Sequence, residues 1–145
     1  TKFDVVFMIG VLHHLDSPIS TLTHITHMLK PGGWIVANEP QSANPAIQLL
    51  RKYRAKIDKS YSPKQQQFSA QELKIMYEKV SLKNILVVPQ GILSTPLAET
   101  VLGPDALVKP LAATAVSIDR ILETYLGSLL TPFSWNLIVA GQVPA

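Results

Sequence analysis

Apolar residues fall alternately into short runs and into helical spacing along the chain, and this alternation predicts strands separated by helices. Residues 3–9 form an apolar run rich in β-branched and aromatic side chains, typical of a strand buried on both faces. After Ser17, the predicted cap, and Pro18, apolar side chains recur every three or four positions up to Leu29, which predicts a helix. Residues 31–33, Pro-Gly-Gly, are expected to end that helix before a second strand at 34–38.

Strand, helix and strand within about 40 residues predict a βαβ unit with parallel strands and a right-handed crossover. Asn44 and Pro45 then open a second predicted helix, which runs to about Ile57, and residues 58–67 are polar and typical of a loop.

The C-terminal half begins with the clearest helix start in the sequence. Ser69 and Glu72 form a capping box, and the helix they begin is expected to run to about Val80. A third strand is predicted over 84–88. Residues 105–130 have a broadly apolar helical pattern that Pro110 is expected to split or bend, and residues 133–140 form the last predicted strand.

Composition limits the classes of protein. The 145 residues are 47% hydrophobic, enough for one domain with a substantial core. The absence of cysteine excludes a disulfide scaffold, a thiolate metal site and a cysteine nucleophile, and it fits a reducing, cytoplasmic location. Residues 124–145 carry no charge, but Pro132 and Gly141 interrupt them, so no transmembrane segment is expected.

Charge is concentrated in one stretch of the chain. The net charge is +3, and six of the 13 basic residues lie within 51–64. Such a stretch could face an anionic ligand, a membrane surface or a nucleic acid, but a solvated helix face is the commoner explanation. His24 and His27 have the spacing of a helical metal pair, yet without a third ligand they are better explained as exposed polar positions. We therefore expect no metal site and no nucleic-acid partner.

Two segments together resemble the class I S-adenosylmethionine-dependent methyltransferases, particularly the small-molecule branch that includes the ubiquinone and menaquinone enzymes. The first segment is Phe3-Asp4-Val5-Val6 with Val11-Leu12-His13-His14-Leu15, and the second runs from Met28 through Lys30-Pro31-Gly32-Gly33 to Val36. The resemblance implies the C-terminal half of a Rossmann-like α/β fold, a four-stranded sheet ordered 3–9, 34–39, 134–140 and 84–89. The strand at 134–140 is expected to be antiparallel to its neighbours.

The same resemblance predicts how residues 1–145 are organised. That family binds its cofactor through a Gly-rich loop after its first strand, and no G-x-G-x-G sequence is present here. We therefore expect residues 1–145 to be a partial methyltransferase domain without the N-terminal cofactor-loop half. Residues 91–131 would be a helical insertion within it.

The resemblance also assigns residues to a site. It implies that Ile9, Gly10, Val11 and His14 line S-adenosylmethionine, although His14 could instead pack and hydrogen-bond under the loop. The resemblance also makes His13 the candidate base or substrate-orienting group, because related enzymes carry a polar residue there, and an imidazole titrates in a useful pH range. A purely structural role for His13 is the alternative, and it is the somewhat commoner explanation. Glu39, at the end of the second strand, is a second catalytic candidate, and capping the turn that follows it is equally expected.

The leading hypothesis is S-adenosylmethionine-dependent methyl transfer to a small, hydrophobic acceptor, with this chain supplying the substrate-side half of the site. A non-catalytic methyltransferase-like module for binding or dimerisation is the alternative. A homodimer through the exposed first strand or the apolar helices would fit either hypothesis. A short-chain dehydrogenase is disfavoured, because no tyrosine has a lysine four residues further on.

Overall fold

The computed structural model describes residues 2–57, 66–95 and 105–145 of the chain. Most of the predicted loop 58–67, including Lys59 and Lys64 of the basic stretch, lies outside the described residues. Lys52 and Lys56 are exposed, as a solvated helix face requires. The elements are β1 (Phe3–Ile9), α1 (Pro18–Met28), β2 (Leu29–Pro40), α2 (Pro45–Ile57), α3 (Ala70–Lys79), β3 (Lys83–Gln90), α4 (Asp105–Leu130) and β4 (Asn136–Gln142).

The four strands form one mixed sheet in the order β1-β2-β4-β3. β1 is parallel to β2, and β4 is antiparallel to both β2 and β3. The predicted order, the antiparallel last strand and the α/β class are therefore confirmed. Because β3 runs in the same direction as β1 and β2, the ends of these three strands meet at one edge, together with the start of β4. We call this edge, with the loops that follow the three strands, the carboxyl edge.

One face of the sheet carries the hydrophobic core. Side chains from alternate positions of the strands pack there with α1 and α3, as the two-residue period of a strand requires. The buried members are Met8, Leu12, Leu22, Leu29, Ile35, Ala37, Phe68, Leu73, Met76, Tyr77, Leu82, Leu137 and Val139. On β1, an edge strand of the described sheet, the side chains that face away from this core (Val5, Phe7 and Ile9) are exposed.

The strand boundaries differ from the predicted ones, because pairing with other strands outweighs local turn signals. β2 begins at Leu29 and includes the Pro-Gly-Gly turn. Gly32 donates its N–H to the carbonyl of Val143 (3.1 Å), and Gly33 accepts from the N–H of Val143 (2.8 Å), so the turn is drawn into the sheet. β4 begins later than expected, at Asn136, because Thr131–Phe133 form a short 3-10 turn.

The helix starts confirm the sequence signals in two of three cases. Ser69 and Glu72 form the complete capping box of α3. Asn44 caps α2, since its Oδ1 accepts from the N–H groups of Ala46 (3.0 Å) and Ile47 (3.3 Å). Ser17 occupies the N-cap position of α1, but its side chain makes no capping hydrogen bond.

Helix α4 contains Pro110 without being divided by it, so the expected split is wrong. The helix is 26 residues long and spaces charged side chains along its length. Across the described ranges, no helix has both the length and the apolar character needed to cross a membrane.

Candidate active site at the carboxyl edge

The loop that follows β1 is shaped by Gly10. Its φ of +60° lies in the left-handed region, and its N–H donates to the carbonyl of Asn38 (2.8 Å). The chain then forms a 3-10 turn at Leu12–His14, in which His14 N donates to the carbonyl of Val11 (3.1 Å). This geometry turns the backbone N–H groups of the loop toward the end of β2.

The carboxylate of Glu39, at the end of β2, accepts hydrogen bonds from those N–H groups. Its Oε1 accepts from the backbone N–H of Val11 (3.0 Å) and of Leu12 (2.8 Å). Its Oε2 accepts from the backbone N–H of His13 (3.2 Å) and lies 2.8 Å from the Nδ1 of the same residue. The Glu39 side chain is 0% exposed, and its two oxygens have four partners, three backbone N–H donors and the Nδ1 of His13. Glu39 therefore caps the turn after β1, rather than the turn after its own strand.

The His13 imidazole stands beside Gly10. A Cβ placed on Gly10 would lie 3.3 Å from the Cε1 of His13, so a side chain at position 10 would compete for the space of the ring. The ring of His14 lies against it, with the two ring centres 4.0 Å apart. The Nδ1 of His13 faces Glu39, and its Nε2 has no hydrogen-bond partner among the described residues.

Tyr77 of α3 is buried in the core beneath this site. Burial raises the pKa of its hydroxyl well above the usual range, and the charge of Glu39 acts in the same direction. Within the described ranges the hydroxyl has no hydrogen-bond partner. Tyr77 is therefore a neutral phenol at all physiological pH values.

The structure brings the predicted site residues together around one loop. Ile9 ends β1 with an exposed side chain, and Val11 is exposed on the other side of Gly10. The side chain of His14 is exposed beside His13, so the alternative in which His14 packs under the loop is wrong. Glu39 is bound to His13 and has no exposed surface through which to contact a substrate.

A second loop at the carboxyl edge, after β3, is also held by carboxylates. Gly91 has a φ of +72°, and its N–H donates to Oε1 of Glu123 (2.7 Å). Asp119 accepts from the N–H of Leu93 (2.9 Å) and from the N–H (2.8 Å) and hydroxyl (2.6 Å) of Ser94. Burial raises the pKa of Glu123, and the charge of Asp119 adds to this rise while the Gly91 bond opposes it.

Sequence reasoning missed these two acids, and it also missed the polar contacts that anchor β4. Two acids four residues apart in a broadly apolar helix were the available signal for Asp119 and Glu123. Gln41 is 1% exposed, and its Nε2 donates to Ser134 Oγ (3.0 Å) and to the carbonyl of Thr131. Nothing in the local pattern around Gln41 indicates those partners, which lie about 90 residues away along the chain.

Comparison with known proteins places the chain in a family. A family model described as a methyltransferase domain matches residues 1–87, which include β1, the loop with His13, β2 and Glu39. The chain belongs to this family. The match covers both segments that carried the resemblance, and it supports the methyltransferase hypothesis over the non-catalytic alternative. The narrower assignment to a ubiquinone-like branch stays a prediction.

Curated relatives match the methyltransferase domain over a short segment. The tRNA U34 carboxymethyltransferase of Desulfotalea psychrophila is 47% identical over 35 residues, which is 24% of this chain and 11% of that protein. The corresponding enzyme of Helicobacter acinonychis is 53% identical over 34 residues, which is 23% of this chain and 13% of that protein. The aligned segment therefore spans only a small part of either relative.

Solved structures resemble the domain along almost its whole length. A SAM-dependent methyltransferase from Thermotoga maritima has a TM-score of 0.61 at 16% identity, covering 97% of this chain and 55% of that chain. Phosphoethanolamine N-methyltransferase 2 of Haemonchus contortus, with S-adenosylhomocysteine and phosphomonomethylethanolamine, has a TM-score of 0.54 at 14% identity, covering 99% and 34%. These similarities establish a Rossmann-like methyltransferase fold, and this chain spans about half or less of either protein.

The described residues fit one side of such a cofactor. Gly10 places backbone without a side chain at the end of β1, and the space that its Cβ would occupy lies against the His13 ring. Ile9 and Val11 expose apolar surface on either side of it, which suits the apolar parts of S-adenosylmethionine. Ile9, Gly10 and Val11 would hold that side of the group.

Proposed function

We propose that this protein transfers a methyl group from S-adenosylmethionine to a small-molecule acceptor, and that this chain forms the acceptor-side wall of the site. The observation that carries the proposal is the His13 imidazole at the carboxyl edge. One of its nitrogens is bound to buried Glu39, and the other has no partner in the described part of the chain. Family membership and the fold support the reaction type.

S-adenosylmethionine, when bound, would supply a methyl group from its sulfonium sulfur. The neutral thioether that remains is a very good leaving group. The family, and the neighbour that holds S-adenosylhomocysteine, support this methyl donor. The protein then mainly has to position the acceptor in line with the methyl group and to remove its proton. In the proposal, Ile9, Gly10 and Val11 line the donor, while His14 is exposed beside them and within reach of the same space.

His13 is the proposed general base. Its Nε2 accepts the proton of an acceptor hydroxyl, ammonium or acidic carbon, and the imidazolium that forms is stabilised by the negative charge of Glu39, 2.8 Å from Nδ1. The Tyr77 hydroxyl cannot take this role, because it lies buried and its pKa is raised.

Exposed apolar side chains at the carboxyl edge support a hydrophobic acceptor. Ile9 ends β1 and Val11 follows it, Leu93 follows β3, and Phe133 precedes β4; all four side chains are exposed. The two curated relatives are named for a tRNA nucleoside, so tRNA belongs among the acceptors tested. Methylation of tRNA, with no reaction on small molecules, would contradict the proposed acceptor class while leaving the reaction type intact.

The test compares His13→Gln with His24→Gln in the complete native protein. We expect His13→Gln to lower kcat by about 10²-fold or more, with little change in S-adenosylmethionine affinity measured by calorimetry. The matched His24→Gln variant removes an exposed imidazole on α1, outside the candidate site, and should keep most of kcat. Native protein that shows no heat of binding at roughly millimolar S-adenosylmethionine would overturn the proposal.

The homodimer suggested by the sequence stays a prediction. Exposed apolar side chains on β1 (Val5 and Phe7) and on α4 (Ile121, Tyr125 and Leu129) are the surfaces that such a dimer would use. Light scattering of the complete native protein measures its oligomeric state directly, and a monomer at all concentrations would contradict the expectation.

A further inference from the structure

We infer that Glu39 is a positioning residue that holds His13 in the tautomer with its proton on Nδ1, so that the lone pair is on Nε2. The effect on rate rests on the proposed function. The tautomer itself is a property of the protein without cofactor or acceptor, and it can be measured separately.

The hydrogen bonds of Glu39 favour an ionised carboxylate over a protonated one. Three of its four partners are backbone N–H groups of Val11, Leu12 and His13, which can only donate. Three donors at the start of a helical turn favour a negative charge on the side chain that accepts from them. An ionised carboxylate has no proton to give, so the fourth partner, Nδ1 of His13, must carry the hydrogen.

The opposite tautomer is costly in this setting. It would place the lone pair of Nδ1 against Oε2 at 2.8 Å unless Glu39 took up a proton. A protonated Glu39 would lose the charge that the three N–H groups face, and no water reaches this side chain to compensate, since it is 0% exposed. Both arrangements are worse than the Nδ1–H tautomer, since buried polar groups lose the most when they are mispaired.

Other titratable groups around the pair leave this assignment unchanged. His14, from the same turn, lies against the His13 ring at an interplanar angle of 38° and has no bond to Glu39. Tyr77, from α3, stays neutral because burial and the charge of Glu39 both raise its pKa. The segment after α2 reaches the turn through a backbone bond, in which Gln66 N donates to the carbonyl of His13 (3.2 Å).

Glu39 also connects the proposed base to the proposed cofactor wall. Its Oε1 holds the N–H groups of Val11 and Leu12, and its Oε2 holds His13. Because one buried side chain binds all three residues, the position of the imidazole is set relative to Val11. Glu39 itself touches no exposed surface, so it acts through His13 and is not a catalytic residue.

The first experiment reads the tautomer by ¹⁵N NMR of the imidazole nitrogens in complete native protein, without cofactor, at a pH where His13 is neutral. We expect the ¹⁵N shifts of His13 to be those of the Nδ1–H form. His24 and His27, exposed on α1, are internal references in the same spectrum. His13 found in the Nε2–H form would overturn the inference, whatever the kinetics show.

Glu39→Gln gives the sharpest variant. Its amide oxygen can keep the two N–H groups at the Oε1 position, which turns the NH₂ group toward Nδ1 of His13. Nδ1 must then accept, so we expect the proton to move to Nε2 and the ¹⁵N signature to invert. The matched control is Glu72→Gln, since Glu72 also accepts from a backbone N–H and a side chain, at the exposed start of α3. An unchanged His13 signature in folded Glu39→Gln would contradict the inference.

Kinetics give the second measurement. Glu39→Gln should lower kcat by about 10-fold to 10³-fold and shift the pH profile of kcat, while His13→Gln combined with Glu39→Gln should be no slower than His13→Gln alone. Fully additive losses would overturn the positioning role. If Glu39→Gln fails to fold, Glu39→Asp, which keeps the charge, should retain the Nδ1–H signature. If the native protein has the expected tautomer but transfers no methyl group, the proposed function is contradicted and the tautomer inference stands.

Discussion

The two loops at the carboxyl edge, 10–14 after β1 and 91–94 after β3, are built in the same way. Each begins with a glycine in the left-handed region, and in each the following backbone N–H groups are bound by buried carboxylates. They differ in the last partner of the carboxylate. Glu39 binds one nitrogen of an imidazole, whose second nitrogen has no partner among the described residues, whereas Asp119 binds the hydroxyl of Ser94.

This difference separates a structural cap from a candidate catalytic group. A hydroxyl that donates to a carboxylate completes the hydrogen bonding of the loop and has no further role in proton transfer. An imidazole held by a carboxylate through one nitrogen has its other nitrogen available for a proton. The origin of the acid differs too: Glu39 comes from the neighbouring strand β2, while Asp119 comes from helix α4. Five substitutions test whether the comparison holds.

The largest loss of stability is expected for Glu39→Ala. It leaves three backbone N–H groups without their buried acceptor, so the free energy of unfolding should fall by about 3 kcal/mol or more. Urea denaturation monitored by tryptophan fluorescence measures this change. A loss below about 1 kcal/mol would mean that water replaces the carboxylate, and that the loop does not depend on it.

The two glycines are next, and they should differ from each other. Gly91→Ala places a Cβ 1.8 Å from Thr95 Oγ1 and 2.8 Å from Thr95 Cβ, so we expect a loss of about 3 kcal/mol from strain and overpacking together. Gly10→Ala meets His13 Cε1 at 3.3 Å and should cost about 1–2 kcal/mol. Denaturation of both variants under one condition gives the ranking, and equal losses would contradict it.

Asp119→Ala tests the structural side of the comparison. It removes the acceptor of the Leu93 and Ser94 N–H groups and should lower stability by about 1–2 kcal/mol, as loss of a helix cap does. The ¹⁵N signature of His13 should not change, because Asp119 has no bond to that residue. A change in that signature would show that the two loops are coupled.

The smallest effect is expected for Glu123→Gln. The pKa of Glu123 in the folded protein lies above its usual value of 4.5, so the native state binds this proton more tightly than the unfolded state. Its contribution to stability is therefore greatest below pH 4.5 and is lost as pH rises through the folded pKa.

Glu123→Gln, which stays neutral and can still accept from Gly91, should remove that slope and stabilise the protein at neutral pH by less than about 1 kcal/mol. Denaturation at several acidic and neutral pH values measures the slope. If the free energy of unfolding depended on pH in the same way in the native protein and in Glu123→Gln, the expected loss of stability with rising pH would be contradicted.

Local signals predicted the elements better than their ends. The apolar runs at 3–9 and 34–38 and the capping box at Ser69 and Glu72 specify a strand or a helix start by themselves, since neighbouring residues supply the interactions. The start of β2 could not be predicted in this way, because Gly32 and Gly33 join the sheet through bonds to Val143, far along the chain. Tertiary pairing decided that boundary.

For the site residues, local sequence signals were enough to predict the types and the approximate place: His13 after one strand, Glu39 at the end of the next, and Gly10 between strand and turn. A βαβ unit puts the ends of its two strands at one edge, which is why residues 26 positions apart were expected in one site. Their roles depend on contacts between distant parts of the chain. Because β2 lies directly beside β1, the Glu39 carboxylate reaches both the N–H groups of the turn and the imidazole. Since the Glu39 side chain is buried, water does not compete for these hydrogen bonds.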